Sequence, residues 1–125
     1  MSNPGLLKTH TAEGALAKNR IVTHGATDGS VKQATAATDA LVGATEGFAY
    51  EAGDRPSIVR SGIADIEYGG NVTRGQPLTA DSVGRAVAAA PAAGANVRIV
   101  GFAEVSGVSG DICPVFLAPS VMQGA

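Results

Sequence analysis

Few side chains in this sequence could carry covalent chemistry. Cys113 is the single cysteine, and His10 and His24 are the two histidines that could serve it as a base. A thiol–imidazole pair becomes a nucleophile when the imidazole takes the thiol proton. The surroundings of Cys113 argue against that use. It stands in Ile112-Cys113-Pro114-Val115-Phe116-Leu117, apolar throughout, where a cysteine packs as a small hydrophobe. Glycine-rich loops can cradle a phosphate when they lead from a strand into a helix whose N-terminal amides face the anion. No helix pattern follows Gly69-Gly70 or the pair Gly107 and Gly110, and no Walker or dinucleotide fingerprint is present. Glu51, Asp54, Asp65 and Glu67 are interleaved with Arg55 and Arg60 instead of strung closely as a calcium loop requires. They read as a solvated or interfacial face. The residues therefore point to no catalytic site, no cofactor and no metal, and the expectation is a protein that is not an enzyme.

Composition explains what must hold such a chain together. Its 125 residues suffice for one domain with a modest core. Hydrophobic residues make up 45%, but aromatics only 4%, and there is no tryptophan. Small side chains must fill the interior, each contributing less than a Phe or Leu would. Seventeen glycines are roughly twice the usual share, which means many corners and few long helices. A net charge of −2 offers no electrostatic footprint for nucleic acid or an anionic membrane. One cysteine excludes an internal disulfide and a cysteine zinc cage. The start, Met1-Ser2-Asn3-Pro4-Gly5, has no basic region followed by an apolar run, so no signal peptide is expected. No apolar run approaches the roughly 20 residues of a membrane-spanning helix.

Along the chain, residues 1–18 read as an extended N-terminal arm. Leu6-Leu7 is an isolated apolar pair beside Lys8, and nothing around it is periodic. The arm is either a disordered terminus or a segment that orders against a partner through Leu6, Leu7 and Lys8. Regular structure is expected from Arg20-Ile21-Val22-Thr23, with Asp28-Gly29 turning into a returning strand at Val31–Thr35. The stretch Gly53 to Glu67 reads as turn, strand, glycine corner, strand. Ala80–Ala90 admits two readings. Asp81 or Ser82 could cap a short alanine-rich helix ended by Pro91. The other reading is a hairpin, with strands at Pro77–Ala80 and Arg85–Ala89 around Asp81-Ser82-Val83-Gly84, repeating the pattern around Asp28-Gly29. Val97–Val105 is a strand with a bulge or close approach at Gly101. The final strand places Cys113, Val115 and Leu117 on one face and Ile112, Pro114 and Phe116 on the other. Both faces are apolar, so a second layer is expected to cover the second one, and Ile112, Pro114 and Phe116 are expected at an oligomer interface.

The halves also repeat. Val42-Gly43 leads past Glu46 to Gly53-Asp54 and Ile58-Val59. Val100-Gly101 leads past Glu104 to Gly110-Asp111 and Val115-Phe116. Either this is coincidence in a glycine-rich chain, or a duplicated hairpin-plus-strand unit packs against its copy. The expected fold is all-β: a small glycine-rich β-barrel or sandwich of short strands over residues 19–118, with at most one short helix and a tail at residues 119–125.

The order of these features resembles the capsid cement, or head decoration, proteins of tailed bacteriophages. The resemblance rests on Ala52-Gly53-Asp54 with Ile58-Val59-Arg60-Ser61-Gly62, on Gly75-Gln76-Pro77-Leu78 and on Gly84-Arg85-Ala86-Val87. It closes with Val100-Gly101-Phe102-Ala103-Glu104 and Gly110-Asp111-Ile112-Cys113-Pro114-Val115. It covers roughly residues 19 to 118 and leaves the arm and the Val121–Ala125 tail unexplained. It implies a structural virion protein, made in the host cytoplasm and seated on the capsid surface. There it would act as a homotrimer that bridges major capsid protein subunits. A host- or glycan-binding β-module is the alternative, with Phe48, Tyr50 and Tyr68 as the aromatics such a site would need.

Overall fold

Four corners of the chain are built to one design. In Glu51–Asp54 the Asp54 N–H donates to the Glu51 carbonyl at 3.1 Å, while Asp54 Oδ2 accepts from the Glu51 N–H at 2.8 Å. Val108–Asp111 repeats both bonds at 3.1 and 3.0 Å. Thr73–Gln76 and Thr27–Ser30 do the same with an amide and a hydroxyl in place of the carboxylate. The third residue is glycine each time, and at Gly53 and Gly110 φ is +91° and +92°. Only glycine adopts that region without strain, as a type II turn requires.

These corners separate twelve strands in a computed structural model that describes residues 2–125, none of them helical. The strands are β1 Asn3–Pro4, β2 Leu7–Thr9, β3 Thr11–Ala12, β4 Ile21–His24, β5 Ser30–Gln33 and β6 Leu41–Ala44. They continue as β7 Ser57–Val59, β8 Gly62–Glu67, β9 Pro77–Ala80, β10 Ala86–Ala88, β11 Asn96–Ala103 and β12 Ile112–Gln123. They form two six-stranded sheets, ordered β2-β7-β6-β4-β5-β3 and β1-β8-β12-β11-β9-β10. Ala80–Ala90 is the hairpin. Asp81, the residue that could have capped a helix, instead accepts from the Val83 and Arg85 N–H groups and closes the β9–β10 turn.

The sheets repeat one another in strand order and register. β7-β6-β4-β5 and β12-β11-β9-β10 share one order, and Val22↔Gly43 matches Leu78↔Gly101 in register. Each sheet curls until its ends meet through a parallel contact, Thr11↔Ser30 in one and Tyr68↔Ala86 in the other. Ala12 exchanges bonds with Asp54 and Gly53, and Tyr68 exchanges the same bonds with Asp111 and Gly110. A Cβ on Gly43 would run into the Val59 carbonyl, and one on Gly101 into the Phe116 carbonyl. The phrase read twice in the sequence is thus one small curled sheet built twice.

Two apolar clusters result. Ala12, Leu16, Val22, Val31, Val42 and Ile58, with Tyr50 against them, fill the first sheet. The second cluster runs from inside the other sheet (Ala64, Ile66, Tyr68, Leu78, Val100, Cys113, Val115 and Leu117 among others) to the far faces of β4, β6 and β7 at Ile21, Leu41 and Val59. Those three strands are buried on both faces.

Two expectations change. Residues 3–12 are extended, but they lie on the body as strands: β1 pairs with β8, β2 with β7, and β3 with β5. Leu16 is 1% exposed. The segment finds its place through backbone pairing and one leucine, so it needs no apolar period. It crosses from one sheet to the other at Gly5, where the Gly5 N–H donates to Ser61 O. At the same point β7 hands the chain over to β8. The expected tail is also strand, since β12 continues to Gln123 against Asn96 of β11.

Candidate functional site

The residues that could have done chemistry are kept apart. Cys113 lies inside the second sheet, His10 is a buried residue of the N-terminal strap formed by residues 3–16, and His24 is exposed at the end of β4. Burial, with Asp111 and Asp65 nearby, pushes the Cys113 thiol pKa up, away from the thiolate that would react. Burial first, then Cys113 and Asp111, raises the Tyr68 phenol to about 12, and its hydroxyl donates to Val105 O at 2.8 Å. Asp54 and Asp111 are spent in turns. Glu67 takes Arg20 at 3.3 Å and Arg85 at 3.9 Å, and Arg85 also holds Asp81 at 3.0 Å. This polar seam ties the two sheets together. Among the described residues there is no cavity and no group of three His, Cys, Asp or Glu side chains placed to hold a metal ion.

What the surface does present is an apolar row. β12 alternates as its sequence demands: Cys113, Val115 and Leu117 point inward, whereas Ile112 and Phe116 are 49% and 47% exposed, with Pro114 partly covered. Pairing extends the row sideways, because Phe116 registers with Phe102 of β11 and with Ile63 of β8. Ile63 in turn faces Asn3 of β1, and Phe102 faces Pro77 of β9. Asn3, Ile63, Phe116, Phe102 and Pro77 therefore cross the outer face of the sheet, with Phe102 38% exposed. Cross-strand aromatic and β-branched neighbours of this kind stabilise a sheet, and a contiguous exposed row is a surface suited to a partner.

Sequence reasoning placed Ile112, Pro114 and Phe116 together and missed Phe102 and Ile63. The signal for Phe102 was hidden by the register shift between Ile99 and Gly101, which breaks the alternation of β11. Leu6 and Leu7 are 56% and 50% exposed where the strap crosses between sheets. Lys8 is exposed beside them, paired with Ile58. Phe48, 69% exposed, stands in the β6–β7 connection; Tyr50 packs on the first cluster and Tyr68 is fully buried.

No family model matches the chain, and no curated protein matches it in sequence. Among solved structures it is similar to the crystal structure of the head fiber gp8.5 N base in bacteriophage phi29. The likeness covers 94% of this chain and 98% of that one, at a TM-score of 0.67 and 17% identity. The two share a fold. At that coverage the shared fold takes in both curled sheets together, not one of them alone.

Proposed function

We propose that this chain is a structural component of a phage head, seated on the outside of the capsid as a trimer and bridging major capsid subunits. The observation that carries this reading is the likeness of nearly the whole chain to the base of a head fiber. The surface supports it. A stable assembly needs an apolar centre with a polar rim, and the Ile63–Phe116–Phe102 row with Ile112 provides one, rimmed by Asp65 and Glu67. Leu6, Leu7 and Lys8 supply a second contact for the shell, held on a fixed corner and not on a loose arm. Host or glycan binding has weaker support, since of its three aromatics only Phe48 stands clear of the body.

The test is assembly. Phe116→Asp should leave the single chain folded, because the side chain is half in water, yet it should abolish the trimer in light scattering and lower occupancy on shells. Replacing Leu6 and Leu7 with serine should keep the trimer and weaken shell binding alone. A wild-type protein that stays monomeric on, or after release from, shells would remove the trimer. Electron microscopy of virions showing no density for it on the capsid would remove the location.

A further inference from the structure

His10 sits between β2 and β3, where the strap changes partners from β7 to β5. It is 3% exposed, so a proton gained there would place a charge away from water. Its Nδ1 lies 3.2 Å from the Gly29 carbonyl and its Nε2 lies 3.3 Å from Arg60 Nη1. Both contacts are satisfied by one species only: the neutral ring with its proton on Nδ1. That ring donates to Gly29 and accepts from the guanidinium, which has no lone pair to offer. A second proton on Nε2 would set two donors, and two positive charges, against each other.

We propose that the His10–Arg60 contact is an acid-sensitive clasp, which holds the N-terminal strap across both sheets at neutral pH and lets go of it when the imidazole is protonated. The groups facing the ring support release over retention. Arg60 follows β7, Lys8 comes from β2 and His24 from β4, all cationic or able to become so, while the turn before β5 contributes only the Gly29 carbonyl. The nearest carboxylate on the strap, Glu13, is committed to the Ala26 N–H at 2.6 Å. The strap is also the part of the structure best suited to part from the rest. Its strands are the shortest, β1 and β3 having two residues each, and it ends in exposed residues through Thr9. Local opening of such segments lies at the low end of a protein's stability range.

Burial, followed by Arg60 and Lys8, lowers the His10 pKa from its ordinary 6.5, against the raising effect of the Gly29 bond. The folded pKa thus lies below the unfolded one. The clasp contributes its full stability above pH 6.5 and loses it as pH falls through the folded value. Between those two points the opening equilibrium should shift by up to tenfold per pH unit.

The experiment is an NMR titration of the wild-type protein joined to amide exchange. His10 should stay neutral below pH 6.5, its ordinary value. Protection factors of Thr11 and Ala12, which follow His10 and whose N–H groups donate to Gly29 and Asp54, corrected for the intrinsic pH dependence, should fall through the His10 transition while those of β11 and β12 hold. In His10→Gln the strap should no longer respond to this transition, and in His24→Gln the response should remain. Titration of His10 at or above 6.5, or strap protection that does not change as His10 becomes protonated, overturns the proposal without recourse to any variant.

Discussion

Leu16→Ala asks directly whether the N-terminal segment belongs to the folded body. Leu16 is 1% exposed and backs onto Val22, Val31, Val42 and Ile58. Removing a fully buried leucine forfeits its transfer free energy and leaves a cavity, together about 3 kcal/mol. Relaxation can recover little, because Leu16 and Tyr50 exchange both backbone bonds at 2.8 Å and fix the strap there. For a chain of this length the unfolding entropy is roughly 2.1 cal/mol/K per residue, so the melting temperature should fall by about 11 °C. Calorimetry, with a urea melt followed by circular dichroism, measures it. Leu6→Ala and Leu7→Ala are the controls: both side chains are half exposed, and each should change stability by less than about 0.5 kcal/mol. If Leu16→Ala proves as mild as the controls, the strap is outside the cooperative unit, and the account of the first sheet as a closed curl is wrong.

Gly101→Ala and Gly43→Ala should each cost about 2 kcal/mol or more, since the added methyl meets a backbone carbonyl that cannot rotate aside; thermal melts of the pair should show similar losses if the halves are built alike. Tyr68 predicts an alkaline effect. Its folded pKa of about 12 lies above the ordinary 10.0, so the stability it contributes is present below pH 10 and lost as pH rises through about 12. That loss is on the order of 3 kcal/mol, seen as a falling denaturation midpoint in wild type and absent in Tyr68→Phe.

Much of the architecture was legible because turn chemistry is local. Gly53-Asp54 and Gly110-Asp111 announce their corners through a left-handed glycine and a short acceptor side chain, and the hairpin at Asp81–Gly84 could be read from its likeness to Asp28-Gly29. The outward face of β12 was legible for the same reason, as strict alternation puts Ile112 and Phe116 opposite Cys113 and Val115. The strap was not. It is held by backbone bonds to partners far along the chain, and its buried side chains, His10, Ala12 and Leu16, share no period. The sideways extent of the apolar row escaped as well, since registering Phe116 with Phe102 and Ile63 depends on strand pairing that no single stretch encodes.

The closing of the first sheet by residues 7–12 has a consequence for the order in which the molecule comes together. These residues leave the ribosome before either of their neighbours exists, since β5 and above all β7 are made much later. Non-local pairing of this sort pays its loop-closure entropy in advance and folds slowly. The second curled sheet repeats the delay, since its corresponding strand, β8, follows β7 directly but pairs with β12, the last strand to be made. Each sheet therefore closes only when a late strand reaches an early one. The earliest residues to be made wait, unpaired, until β7 emerges.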